Sequence, residues 1–388
     1  MINQNKVIYV PSLRMKKGEL EGLRALRGDV ADCILPLLIV PPLKERDSGS
    51  QEALFPPGEA IPDVGGILCK YWPRRPTFVD PRALFKEYGI EKAVNWLPEL
   101  FNRARNLDVV AIPIASLAAL EKVGVLAFRD SISESYRLKF SLRIQSGDMT
   151  DPNLNDRVQS VLSSMSLIPA ECAVFADFSD ADLSDHSLVA PIIRSALEQL
   201  QAFGQWRLIA FQGTHYPETN PAKPGQTISH PRNEWRAWRE AVKFDPSTAE
   251  QMVFGDFAAD SAKVDFGGQG GRPIPHCRYT TDSHWLVVRG SETGSTHEVM
   301  KDVYERVLDS GEFSGPSFSE ADAYIDDVAR NNSESAGNAS TWRQVNTTHH
   351  ITRVVADIAK VRGIPITELP SSPTGAQLTL LDEARETT

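Results

Sequence analysis

Eight short apolar runs, most of them followed by a helix-like pattern, constrain this chain more than any other feature. They are Val7–Val10, Ile34–Val40, Thr77–Asp80, Val109–Ile114, Leu138–Ile144, Cys172–Asp177, Leu208–Phe211 and Met252–Phe257. Strands buried on both faces read as apolar runs, because neither side meets water. Helical patterns lie between them at Gly18–Leu26, Ala83–Arg105, Leu117–Ser135, Asn153–Ser166 and Val189–Ala202. In the first of these, Leu20, Leu23 and Leu26 share one side. Strands alternating with helices imply parallel pairing through right-handed crossovers. The count of eight points to a closed (β/α)8, TIM-like barrel over residues 1–265. The competing arrangement is an open doubly wound sheet.

A strand at Trp285–Arg289 and helices at Thr296–Leu308, Ser319–Arg330 and Thr341–Val361 form a C-terminal β/helical extension over residues 266–362. Ser319 with Asp322 reads as a helix start. The tail, residues 363–388, is polar and Pro-rich, and is expected to be disordered. The glycine loop Phe266–Gly271 lacks a following Lys-Ser/Thr, so a phosphate loop is not its reading. Two long polar connections, Lys44–Pro76 and Gln212–Pro231, follow strands and would lie at the active rim.

A net charge of −10 gives no global field for nucleic acid, although a local basic patch is compatible with it. The four cysteines are widely spaced and form neither a metal motif nor a disulfide framework. Residues Met1–Lys6 lack a leader's apolar core, and no run reaches membrane-spanning length, so a cytoplasmic protein is expected.

The run Leu138-Lys139-Phe140-Ser141-Leu142-Arg143-Ile144 alternates strictly. Its apolar set must face the helices, which turns Lys139, Ser141 and Arg143 into the barrel. An antiparallel strand with a wet face is the other reading. Charges inside need partners, and three strands end in carboxylates: Asp80, Asp177 and Asp256. These Asp are the candidate catalytic groups, acting as acid and base or holding a divalent cation such as Mg. Each is equally read as a turn or helix cap, Asp80 before Pro81 above all. Arg143 is expected to pair with Asp177 on the next strand. Arg14, Lys139, Arg143 and Arg278 are candidates to hold phosphate, with Gln212, Thr214 and Tyr279 as further binding groups. His349 and His350 are adjacent, so on a helix they point apart and do not chelate one ion.

Several words in order resemble the beta protein family: Tyr9-Val10-Pro11, Lys17-Gly18-Glu19, Phe78-Val79-Asp80, Phe254-Gly255-Asp256, Arg278-Tyr279-Thr280-Thr281-Asp282, Trp285 to Gly290, and Thr341-Trp342-Arg343-Gln344 with His349-His350. That family is named for a phage protein and occurs in bacteria and mobile elements. The resemblance implies a barrel and a link to phage–host conflict, and it assigns no catalytic residue. Relatives often carry an acid where Ile39 stands here. Three functions compete. One is a hydrolase for a phosphorylated substrate, a nucleotide or a nucleic-acid end. Another is a non-catalytic sensor or adaptor that binds a phage protein or a partner of a defence module. The third is a glycoside hydrolase, weakened by the lack of a strand-end Glu.

Overall fold

The computed structural model describes residues 7–47, 50, 52–55, 61–244, 251–263, 266, 273–333 and 335–366. The readings made for residues 1–6, for most of the glycine loop and for residues 367–388 lie outside these.

Eight parallel strands form the barrel: β1 (Tyr9–Arg14), β2 (Leu37–Ile39), β3 (Thr77–Asp80), β4 (Ala111–Ser116), β5 (Phe140–Gln145), β6 (Cys172–Asp177), β7 (Leu208–Gln212) and, after one intervening strand, β9 (Phe254–Asp256). Their order, β7-β6-β5-β4-β3-β2-β1-β9, leaves one seam between β7 and β9. A parallel bridge joins Ala210 to Val253 across it. Phe211 N donates to Val253 O at 2.8 Å, and Val253 N to Ile209 O at 2.8 Å, so the barrel is nearly closed. Gly255 permits this approach. A Cβ there would stand 2.6 Å from Phe211 O and 2.9 Å from Val10 O, against backbone on both neighbouring strands.

Alternation sorts the side chains as a barrel requires. Val10, Leu37, Ile39, Phe78, Ile112, Phe175 and Val253 share an interior cluster. Phe78 and Phe175 meet edge to face at 5.3 Å. Tyr9, Leu38, Val79, Phe140, Leu142, Ile144, Val174 and Phe254 face the helices instead. Each such fully buried large side chain contributes roughly 1.5–3 kcal/mol of transfer energy. The thiol of Cys172 lies in this outer core, and burial pushes it up to about 12.

The expected helix between Leu117 and Ser135 is two short helices, Leu117–Val123 and Val125–Arg129. Gly124, at φ +89°, breaks them apart. The connection Lys44–Pro76, read as a loop, contains the helix Val64–Tyr71, whose N-cap Asp63 accepts from Gly66 N at 2.8 Å. A helix at Asn233–Phe244, unread in the sequence, precedes β9.

The extension borrows a strand from the barrel's span. β8 (Thr227–Pro231), β10 (His276–Thr280) and β11 (His284–Arg289) form an antiparallel sheet in the order β10-β11-β8. Helices Thr296–Asp309 and Glu320–Ala329 cover it with a second core that includes Tyr279, Val288, Met300, Tyr304, Ile325 and Trp342. Ser319 caps the latter helix as its sequence implied, accepting from Asp322 N at 3.2 Å. The last helix, Ala339–Arg362, lies along Lys17–Arg24. Gly18 and Gly22 make that possible, since a Cβ on Gly22 would stand 2.8 Å from Thr347 Cβ. Among the described residues, no helix is long and apolar enough to cross a membrane.

Candidate functional site

The C-terminal ends of β3, β5 and β6 bring a charged group together inside the barrel mouth. Arg143, turned inward by the alternation of β5, donates from Nη2 to Asp80 Oδ2 at 2.6 Å. Its Nε lies 3.3 Å from Asp177 Oδ2. All three side chains are buried. The expected Arg143–Asp177 pair is therefore present, and Asp80 is the closer partner. Burial opposes ionisation of Asp80, yet Arg143 and Arg82 hold its carboxyl below the usual range. The pair thus stays charged.

Each aspartate also caps its own turn. Arg82 N donates to Asp80 Oδ1 at 3.1 Å, and Ser179 N to Asp177 Oδ1 at 3.0 Å. One oxygen serves the backbone and the other the guanidinium, so each aspartate caps a turn and pairs its charge; the helix cap expected of Asp80 is not formed, because the next helix, Phe85–Tyr88, starts after Leu84. Arg82, two residues past the end of β3 and so outside any strand pattern in the sequence, sets its Nε 3.3 Å from Asp80 Oδ2 and remains 44% exposed. It is the mouth's solvent-facing cation. Ile39 sits in register between Arg14 and Asp80, an apolar residue among charges.

A second cluster adjoins the mouth. Asp260 receives Arg14 Nη1 at 2.9 Å, Arg278 Nη1 at 2.8 Å and Arg343 Nη1 at 3.2 Å. Arg343 Nη1 also pairs with Glu19 Oε1 at 2.9 Å. Burial would raise Asp260, but Arg278, Arg14 and Arg343 hold it far below the ordinary carboxylate range. Glu19 stands in the charged first loop with Arg14, Lys16 and Lys17, but nothing local to it or to Asp260 names a partner: Arg14 lies 246 positions from Asp260 and Arg343 lies 324 from Glu19.

The remaining candidates lie elsewhere. Lys139 has the right parity but the wrong height. It sits at the opposite end of the barrel, where Nζ meets Glu171 Oε1 at 2.8 Å and Glu134 Oε2 at 2.5 Å. Asp256 follows Phe254 onto the outer face. There it accepts from Tyr9 Oη and meets His350 Nε2 at 2.9 Å, while His350 Nδ1 meets Thr280 Oγ1 at 2.8 Å. Asp256 thus fastens the last helix to the barrel. Gln212 Nε2 donates to Asp256 O at 2.9 Å, and Thr214 Oγ1 to Asp260 O at 3.1 Å, so both brace loops. Tyr279 alternates away from Arg278 and donates to Asp322 Oδ1 at 2.6 Å within the second core. His349 and His350 do point apart, His349 Nδ1 meeting Asp322 Oδ2 at 3.0 Å.

The mouth does not suit Mg. Both inward carboxylates are committed to Arg143, with Arg82 alongside, and cations repel a cation. Among the described residues no group of three His, Cys, Asp or Glu side chains could hold a metal ion.

A sequence model of the Beta protein family matches residues 9–356. The chain belongs to the Beta protein family. The match runs from β1 through most of the last helix, so barrel and extension together make up the family unit. No curated protein matches this member of the Beta protein family.

Proposed function

We propose that the barrel mouth is a phosphate-ester site and that this Beta protein is a hydrolase for a small phosphorylated substrate of the nucleotide class. The observation that carries the reading is the exposed Arg82 guanidinium beside two buried, guanidinium-paired carboxylates at the C-terminal rim. That rim is where barrel enzymes place their chemistry. Arg82 and Arg143 would hold the phosphoryl oxygens. Asp177, the more distant partner of Arg143, would take a proton from the attacking water as the phosphorus–oxygen ester bond breaks, and the leaving alkoxide would be protonated by solvent. The proposed setting is the cytoplasm, within a phage-defence or mobile-element module.

A second reading, a non-catalytic adaptor for a protein of that module, is favoured by one feature. Leu188 and Ile192, one turn apart on helix His186–Ala202, are 68% and 53% exposed. The two readings separate in one experiment on the full chain: calorimetric binding and phosphate release over a panel of nucleoside mono- and diphosphates. The hydrolase reading expects binding lost in Arg82→Ala and phosphate release lost in Asp177→Asn with binding kept. Binding without turnover in the wild type would replace the hydrolase by a non-catalytic sensor of the phosphorylated ligand, and absence of binding would leave the protein adaptor. No binding at all would overturn the phosphate site.

A further inference from the structure

Asp260 is held where an external anion would be expected. Three guanidinia converge on its carboxylate from three separate parts of the fold: Arg14 from β1, Arg278 from β10 and Arg343 from the last helix. The fork geometry of guanidinium suits phosphate as well as carboxylate. The chain pays a conformational cost to reach this position. Ala258 and Ala259, just before Asp260, adopt φ +50° and +60°. That left-handed region is disfavoured for a residue with a Cβ, which crowds the following carbonyl oxygen there. The turn is kept by Ala258 N donating to Asp256 Oδ1 at 3.0 Å and Asp260 N to Phe257 O at 3.1 Å. Arg278 Nη1 also donates to Ala259 O at 3.0 Å.

Two further atoms at the cradle have no protein partner among the described residues. Arg278 Nε is a buried donor and Glu19 Oε2 a buried acceptor. Glu19 is only 3% exposed, so its second oxygen is costly to leave unmet. A hydrogen phosphate, or a phosphomonoester in its singly ionised form, carries acceptor oxygens for Arg278 Nε and one hydroxyl for Glu19 Oε2. A sulfate dianion has no hydroxyl to give. The cradle is reachable from outside, since the Arg278 and Arg343 side chains are 17% and 28% exposed.

We propose that Arg14, Arg278 and Arg343 form a second anion site, specific for a hydrogen phosphate or a phosphomonoester end, and that Asp260 fills it from within as an internal plug. An arriving phosphate displaces the carboxylate and lets the Ala258–Ala259 turn relax. Neither Arg82 nor Asp177 takes part, so this reading stands apart from that of the mouth.

The test uses the full chain at about pH 5.5, where a phosphomonoester keeps one hydroxyl, with inorganic phosphate, phenyl phosphate and sulfate as probes, read by calorimetry and by thermal melting. Asp260→Asn should bind phosphate at least tenfold more tightly than the wild type. Its melting temperature should rise with phosphate more than the wild type's does, and sulfate should do neither. Arg82→Ala, added to Asp260→Asn, should leave this gain in place, which separates the cradle from the mouth. Arg343→Met, at the exposed edge of the cradle, should remove the gain. Should Asp260→Asn not fold, Arg343→Met in the otherwise wild-type chain must still weaken phosphate binding by about tenfold or more, the worth of one charge-assisted hydrogen bond. Binding of phenyl phosphate as well as phosphate assigns the cradle to a ligand's phosphate end; binding of phosphate alone assigns it to the free anion. An unchanged affinity in Asp260→Asn, a gain that survives Arg343→Met, or an equal response to sulfate overturns the proposal.

Discussion

Replacing Glu234 by Gln should stabilise the protein at high pH and leave it nearly unchanged at low pH. Glu234 is fully buried in the first turn of helix Asn233–Phe244. Its Oε2 accepts from His215 N at 3.1 Å, and its Oε1 has no partner among the described residues. Burial, with the Asp256 charge adding and Arg232 opposing, raises this carboxyl from 4.5 to about 8. A carboxyl raised in the fold contributes its stability fully below 4.5, and that contribution is lost as pH rises through about 8. At about 1.4 kcal/mol per unit, the loss between pH 5 and pH 9 comes to roughly 4 kcal/mol. Gln keeps an acceptor for His215 N and carries no titrating group. Urea unfolding of both proteins at pH 5 and pH 9 measures the effect. Glu234→Gln should nearly match the wild type at pH 5 and exceed it by about 4 kcal/mol at pH 9. An equal difference at the two pH values would refute the assignment of a neutral, desolvated Glu234.

Three further substitutions test the barrel interior and its seam. Arg143→Met takes the buried guanidinium from Asp177 and leaves Asp80 only Arg82, and should cost about 3–5 kcal/mol in chemical denaturation, as removal of one partner of a buried pair does; Asp177→Asn should cost less, because Arg143 keeps its 2.6 Å contact with Asp80. Gly255→Ala pushes a Cβ against the backbone of both β7 and β1, so it should lower the melting temperature by several degrees and speed amide exchange at Phe211 and Val253 across the seam.

The barrel was legible because its strands are buried on both faces, and a short apolar run between helical patterns has few other uses. Arg143 was legible for a related reason: strict alternation leaves a charged residue on β5 only the inward side, and a charge there must find an acceptor. Parity states a face, however, and not a height. Lys139 and Arg143 share a face but stand four residues apart, about 13 Å along a strand, at opposite ends of the barrel. Nor does a strand as short as Phe254–Asp256 announce which of its residues turn inward, so Asp256 was legible as a strand-end carboxylate and not as the clasp of the last helix. β8 reads as polar loop because it is an exposed edge strand, paired on one side to β11. The Asp260 cradle lay furthest beyond reach. Its five charged residues, Arg14, Glu19, Asp260, Arg278 and Arg343, have no periodicity or spacing in common, and only closure of the barrel and docking of the last helix on Gly18 and Gly22 bring their charges within 3.2 Å contacts. Local sequence specifies which face a side chain takes, through the fixed period of a strand or helix. Which distant charges meet is set by packing, because the energy that pairs them exists only once water has been removed from between them.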